Sequence, residues 1–246
     1  MTRAPRCLLA VLLLASTSAH AAHPLLSEDP GTQGTGGVEL EIGFAASDGE
    51  PGGGRISQLA TQLTVGVHPA IDLFVVPRYL WVRPKDEAHQ RGLGDTSLDF
   101  KWRFFENDTV QLAVRAGAEL ATGDTSKGLG EDGTGWHAVL AMSVAIEPAQ
   151  WLVNLGYTRA RVKGERSHLP YATTAVIAPA DGALRGFVEI GAQANSDPSR
   201  ATWPAVARTG VMWKAAPWLD LDVGAEGRLN RAAPRATLLA GATLRW

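Results

Sequence analysis

Cysteine is almost absent: Cys7 is the only one in 246 residues. It falls in an N-terminal stretch where Arg3 and Arg6 precede the apolar block CLLAVLLLA and the small residues SAHA end at Ala21, the order of a secretory signal peptide. Cleavage after Ala21 takes 21 of the 246 residues and leaves 225 with no thiol, so disulfides cannot hold the exported chain. Long apolar runs are missing as well. After Ala22, charged or polar residues interrupt every candidate well short of the roughly 18 to 20 residues that a spanning helix needs, so any membrane crossing must be made by strands. Charge of one sign is scarce. The chain has 23 basic and 25 acidic residues; loss of Arg3 and Arg6 leaves 21 against 25, a net charge of −4 with histidine neutral, which excludes nucleic acid as a partner.

Catalytic signatures are missing too. There is no G-x-S-x-G elbow, P-loop or HExxH helix. Ser167 and His168 are adjacent, so an extended chain points them to opposite faces. His137 and Ser143 would stand about 20 Å apart by strand rise, beyond any nucleophile–base contact. No enzyme activity, cofactor or metal centre is expected. The glycine-rich loop TGDTSKGLGEDGTG gathers Asp124, Glu131 and Asp132, but not with the spacing of a calcium loop, so it is read as solvated and flexible.

What the chain does contain is period-two alternation. In WLDLDVGAEGRL, Leu219, Leu221, Val223 and Ala225 share one side of an extended strand, and Asp220, Asp222, Glu226 and Arg228 the other. In a soluble protein the leucine side would be core; in an outer-membrane barrel it faces lipid and the charges line a wet interior. The same pattern sets Leu98, Phe100, Trp102 and Phe104 against Asp99, Lys101 and Arg103, and Val188, Ile190 and Ala192 against Glu189 and Gln193. Extended through the chain, it predicts strands at 37–47, 55–67, 72–83, 94–104, 109–121, 135–146, 150–160, 168–179, 183–195, 202–215, 218–228 and 235–246, an even count of twelve. The segment 168–179 carries no charge to mark a wet face and alternates least.

Three further features choose lipid for the leucine side. Short connections (HPAI, ENDT, EPAQ, ADG, APW) alternate with longer ones such as PKDEAHQRGLG and TGDTSKGLGEDGTG, as an up-and-down barrel with tight periplasmic turns and large outside loops requires. Trp102, Trp151, Trp213, Trp218 and Trp246 fall beside the short turns or the last residue, and Trp81, Trp136 and Trp203 beside the long loops, forming two interfacial girdles. The final strand places Leu238, Ala240, Ala242, Leu244 and Trp246 on one face, resembling the signature by which outer-membrane barrels reach their assembly machinery. The expected fold is therefore an all-β, twelve-stranded antiparallel up-and-down transmembrane β-barrel. Residues 1–21 form the signal peptide, 22–36 a periplasmic or lumen segment, and 37–246 the barrel. The expected location is the outer membrane, with membrane lipid, a small-molecule solute and the assembly machinery as partners.

The inward set on this reading is Glu39, Glu41, Arg78, Asp99, Lys101, Arg103, Arg115, Glu119, Glu189, Arg208, Lys214, Asp220, Asp222, Glu226, Arg228 and Arg245. Such residues brace the wall by pairing across strands or line a permeation path. Their balance of sign argues against strong charge selectivity. The segment from His23 to Gly36 holds two prolines and several turn formers, so it forms no long regular element, and it is expected to narrow the path at the mouth or in the lumen. Three functions compete: a passive channel, a non-conducting structural or partner-binding barrel, and a lipid-modifying barrel enzyme.

The pieces HPLLSEDPGTQGTG (23–36), GLGDTSLDFKWRF (92–104), ELATGDTSKGLGEDG (119–133) and LVNLGYTR (152–159) resemble the outer-membrane family named for the MetA-pathway of phenol degradation, whose members carry the label transporter. His23, Pro24, Asp29, Gly31, Thr32, Gly34, Gly94, Asp95, Lys101, Gly123 and Asp124 match its motifs; Ala121 stands where the family pattern has proline. The resemblance implies a barrel that passes small hydrophobic or aromatic compounds across the outer membrane. From local chemistry alone, Gly94, Asp95, Gly123 and Asp124 are what tight strand exits need.

Overall fold

A sheet with charged or amide side chains on one face and aliphatic ones on the other can face lipid if it curls around its polar face. The chain, in a computed structural model that describes residues 23–49, 53–85, 88–180 and 182–246, does this. The expected signal peptide lies outside the described residues. Strands run through β1 (Val38–Asp48), β2 (Gly54–His68), β3 (Ile71–Val76), β4 (Arg78–Pro84), β5 (Gln90–Leu93), β6 (Thr96–Glu106) and β7 (Val110–Leu120). They continue with β8 (Gly135–Ile146), β9 (Ala149–Arg159), β10 (His168–Pro179), β11 (Leu184–Gln193), β12 (Ala205–Ala216), β13 (Leu219–Arg228) and β14 (Ala236–Arg245). Each is antiparallel to its neighbours, and β1 pairs with both β2 and β14, which closes the sheet; the short β5 pairs on one side, with β4.

Fourteen segments make twelve staves. β3 and β4 both lie along β2, and β5 and β6 continue each other on the far side. The first break is at Pro77, which has no N–H to give to the ladder; its carbonyl still accepts from Thr61 N at 3.1 Å. The second break, at Gly94 and Asp95, is bridged by Gly94 N donating to Arg78 O at 3.0 Å. The twelve-strand expectation therefore holds, with one correction. The stretch 84–94, read as a long loop, contains a strand: Gln90–Leu93 pairs with Tyr79–Val82, so the hairpin stands taller than the alternation suggested. The sequence QRGL hides this because one of its two inward positions, opposite Leu80, is a glycine and the other, opposite Val82, is Gln90. The weakly patterned stretch 168–179 is strand throughout, held by pairing on both sides.

The sides sort as charge and hydration require. Leu221 and Val223 face outward and are exposed, whereas Asp220 and Asp222 are buried inside. The outward wall carries Leu63, Val65, Leu73, Phe100, Leu140, Leu155, Val188, Ile190, Val211 and Leu238, a continuous aliphatic belt. Trp102, Trp151, Trp213, Trp218 and Trp246 mark its turn end, and Trp136 and Trp203 its loop end, all exposed. No helix among the described residues is long and apolar enough to cross a membrane.

A charge placed in the belt tests this orientation. Val223, 55% exposed, lies well inside β13. Val223→Arg should lower folding stability in phosphatidylcholine vesicles by about 2–4 kcal/mol, read from denaturant titration. A change below about 0.5 kcal/mol, the usual effect of a solvated surface substitution, would place that face in water.

Candidate functional site

Most of the inward set meets a partner inside the barrel. Arg208 lies opposite Glu226 on the neighbouring strand and reaches it at 2.7 Å; Arg245 lies opposite Glu39 at 2.6 Å and also meets Asp220 at 2.8 Å. Arg78 pairs with Glu119 at 2.6 Å, and Arg103, near the turn end, with Glu106 at 3.1 Å. Glu41 is bonded to Gln62. Two residues of the set do not enter this packed interior. Lys214 and Arg228 keep inward parity but sit near strand ends, one at each mouth, where both are exposed.

The exception to simple cross-strand pairing is at mid-height. Lys101 and Arg115 are direct cross-strand partners on β6 and β7, two cations side by side. Like charges so placed repel. Asp99 takes one side of Arg115, at 2.9 Å from Nε and 2.6 Å from Nη2. The other carboxylate comes from outside the strands: Glu28 Oε1 is 2.8 Å from Lys101 Nζ, and Glu28 Oε2 is 2.7 Å from Arg115 Nη1. Gln62 accepts from Arg115 Nη2 at 2.8 Å, and the Phe74 ring lies 4.0 Å below the guanidinium. Arg115 is thereby 0% exposed.

Glu28 belongs to a segment, 23–36, that runs through the lumen. Ser27 N and Leu26 N each donate to Glu189 at 2.7 Å, and Ser27 Oγ meets Glu189 at 2.6 Å and Thr173 at 2.7 Å. Asn154 donates to Glu28 O at 2.9 Å, and Arg208 donates to Pro24 O at 2.7 Å. His23 Nδ1 lies 2.7 Å from Asp222. At its other end Gln33 N donates to Asp72, and Gly36 N donates to Gly66 O at 2.8 Å, handing the chain to β1. The wall is shaped for it: a Cβ at Gly43 or Gly241, opposite each other on β1 and β14, would collide with the His23 ring, and one at Gly66 with the Gly34 carbonyl. Leu25 completes an apolar cluster with Leu152, Ala175, Phe187 and Met212.

The motif residues sort into two groups. His23 and Pro24 belong to the lumen segment. Gly94, Asp95, Gly123 and Asp124 build the loop end. Asp95 accepts from Gly123 N at 2.8 Å and Glu131 N at 2.7 Å, tying the junction of β5 and β6 to the loop 121–134. Asp124 caps a single 3-10 turn, Thr125–Lys127, by accepting from Ser126 N at 3.1 Å. Leu129, 2% exposed, packs on Ile56, Leu80 and Val82. The expectation of a flexible, solvated loop is thus corrected: a leucine buried against the inner wall and a two-pronged aspartate hold it over the lumen. At the turn end a cavity of about 400 Å³ opens among Gln111, Ser143, Ile177 and Arg185.

Sequence reasoning missed Glu28, Ser27, Asp72, Gln62, His137, Asn154 and Thr173, all buried in this interior. Gln62, Asp72, His137 and Asn154 alternate with outward apolar neighbours and were findable by parity. Glu28 lies in a segment without periodicity, so nothing local marks it.

No protein-family model matches the chain, and no curated protein matches it significantly by sequence. Its fold does match solved barrels. The COG4313 outer membrane channel from Pseudomonas putida F1 superposes with a TM-score of 0.69 at 10% identity, over 89% of this chain and 98% of that one. The NanC porin gives 0.60 at 6% identity, over 85% and 100%, and the CymD monoaromatic hydrocarbon channel 0.51 at 5%, over 87% and 89%. At such identities the likeness is one of fold.

Two measurements probe this interior. Arg115→Ala leaves Asp99 buried without its guanidinium and Glu28 with Lys101 alone, and should cost about 3–5 kcal/mol of stability by denaturant titration; a loss near zero would mean other groups hold them. Glu131, in the loop, has its carboxyl pushed up to about 7 by burial, against the bond it accepts from Arg161 N. An acid raised in the folded state favours the folded loop when protonated, so docking is strongest below about pH 4.5, its ordinary value, and weakens as pH rises to about 7. Amide exchange of 122–134, corrected for intrinsic rates, should quicken between pH 5 and pH 8, and Glu131→Gln should flatten that rise. An unchanged profile in the variant would assign the pH response elsewhere.

Proposed function

We propose that this chain is an outer-membrane channel for passive passage of small solutes, with residues 23–36 as a constriction inside its lumen. The observation that carries the reading is the way the segment is held. At its centre it is held to the wall by hydrogen bonds and ion pairs to Glu189, Asn154, Lys101, Arg115 and Arg208, with apolar packing confined to its flanks. A barrel filled only for stability would gain more from apolar packing, since isosteric hydrophobic replacement of buried ion pairs is often neutral or stabilising. Two apolar clusters flank the polar centre, Leu25 with Phe187 and Met212 toward the turn end and Leu129 with Ile56 and Leu80 at the loop end. They favour hydrophobic or aromatic solutes, in keeping with the resemblance to the MetA-pathway family and with the CymD channel among the similar folds. Membrane lipid and the barrel-assembly machinery are its other partners on this reading.

A second reading has its own support. The docked loop 121–134 and the occupied centre together suit a non-conducting barrel that binds a partner through its loops. An enzyme has less: the ring of His168, on the outer wall, is hydrogen-bonded to Tyr157.

Deletion of residues 23–34 separates the first two. In planar bilayers the parent should show small or rare openings, and the deleted barrel a conductance several-fold larger. Liposome swelling with graded sugars should rise in parallel. Equal conductance in both would remove the constriction, and no swelling in either would favour the non-conducting reading.

A further inference from the structure

The outward wall is not alike at its two ends. At the turn end its outermost positions include Val38, Val67, Val110, Ile146, Leu184 and Trp213, and among the described residues no lysine or arginine holds an outward strand position there. At the loop end Arg55, Arg83, Arg91, Arg159 and His168 all face outward and are exposed. The density is greatest over β2, β4 and β5. Arg55 is the direct cross-strand partner of Arg83, and Arg91 of Trp81.

Such partners have side chains about 5 Å apart at the Cβ, where like charges destabilise the sheet. Arg55 is partly neutralised by Asp48 at 3.0 Å, a carboxylate it shares with Arg235. Among the described residues, Arg83 and Arg91 have no ion-pair partner. The depth of the cluster is fixed by the aromatics beneath it: the rings of Tyr79 and Trp81 meet at 4.7 Å, tilted by 56°, and Phe44 meets Trp81 edge-on at 6.4 Å. An aromatic girdle sits at the level of lipid headgroups, so guanidinium groups beside and above it stand where phosphates are. Arginine in a fork binds phosphate oxygens two at a time. Strand positions define this patch, not the net charge of the hairpin, whose tip carries Asp86 and Glu87 in sequence.

We propose that the outward rim of Arg55, Arg83 and Arg91 binds the phosphate groups of a phosphorylated glycolipid in the outer leaflet of the membrane. A bound phosphate would bridge Arg55 and Arg83 and remove their repulsion, while acyl chains lie along Phe44, Trp81 and the belt below. The loop end thereby becomes the end anchored in the leaflet richer in phosphate. This inference rests on the outer-membrane reading above.

The test uses the full barrel refolded in detergent, with bis-phosphorylated lipid A and its dephosphorylated form as probes, counted by native mass spectrometry. The parent should hold the phosphorylated lipid at least tenfold more tightly, Arg83→Ala with Arg91→Ala should lose that preference, and Arg159→Ala should keep it. Equal binding of the two lipids, or a preference that survives the double substitution, overturns the proposal. If the double variant does not refold, Arg91→Ala alone decides: a weakened preference supports the site and an unchanged one overturns it. A barrel that fails to enter phosphatidylcholine vesicles overturns the membrane reading and this inference together. One that inserts yet ignores phosphate overturns this inference alone.

Discussion

Lys101 and Arg115 stand side by side on the inner wall, and a carboxylate from outside the sheet lies against both. Glu28 accepts from Lys101 at 2.8 Å and from Arg115 at 2.7 Å, so the cations that would repel across β6 and β7 become one neutralised centre with Asp99. The energetics of such a centre are one-sided: assembled, it contributes little net stability, but with one member removed the rest are stranded in a medium that solvates charge poorly. The lumen segment is thus bound to the barrel by a penalty for leaving as much as by attraction.

Around this centre the molecule is inside out relative to a soluble barrel. The outward belt of leucine, valine and phenylalanine gains nothing from water, and closure of β1 on β14 pairs the backbones of the first and last strands, which would otherwise be edges. Enclosing the charges forces them to pair across strands, as Arg208 with Glu226 and Arg245 with Glu39 do. Glycine is used where the lumen segment must come close: Gly43 and Gly241 leave space for His23, and Gly66 for the backbone at Gly34. The two ends of the lumen differ, a folded loop with Leu129 and Asp95 at one and an open cavity of about 400 Å³ at the other.

The sequence by itself determined the twelve staves, their facing and the girdles, because a side-chain period of two is a local property: each residue's parity is set by its neighbour. Asp220 against Leu221 and Glu189 against Val188 are legible without any contact partner. Even charge-free 168–179 was readable from its length and its bounding loops. What escaped was set by partners far away in sequence. Whether QRGL is loop or strand depends on pairing with Tyr79–Val82, and whether 121–134 is mobile depends on Asp95 and on a pocket of Ile56, Leu80 and Val82. Glu28 is the clearest case. Its contacts with Lys101 and Arg115 span 73 and 87 residues, and only the closed barrel brings the segment 23–36 to the β6–β7 hairpin. Parity decided which residues face inward; closure alone decided which of them meet, since a cross-lumen contact has no local signature.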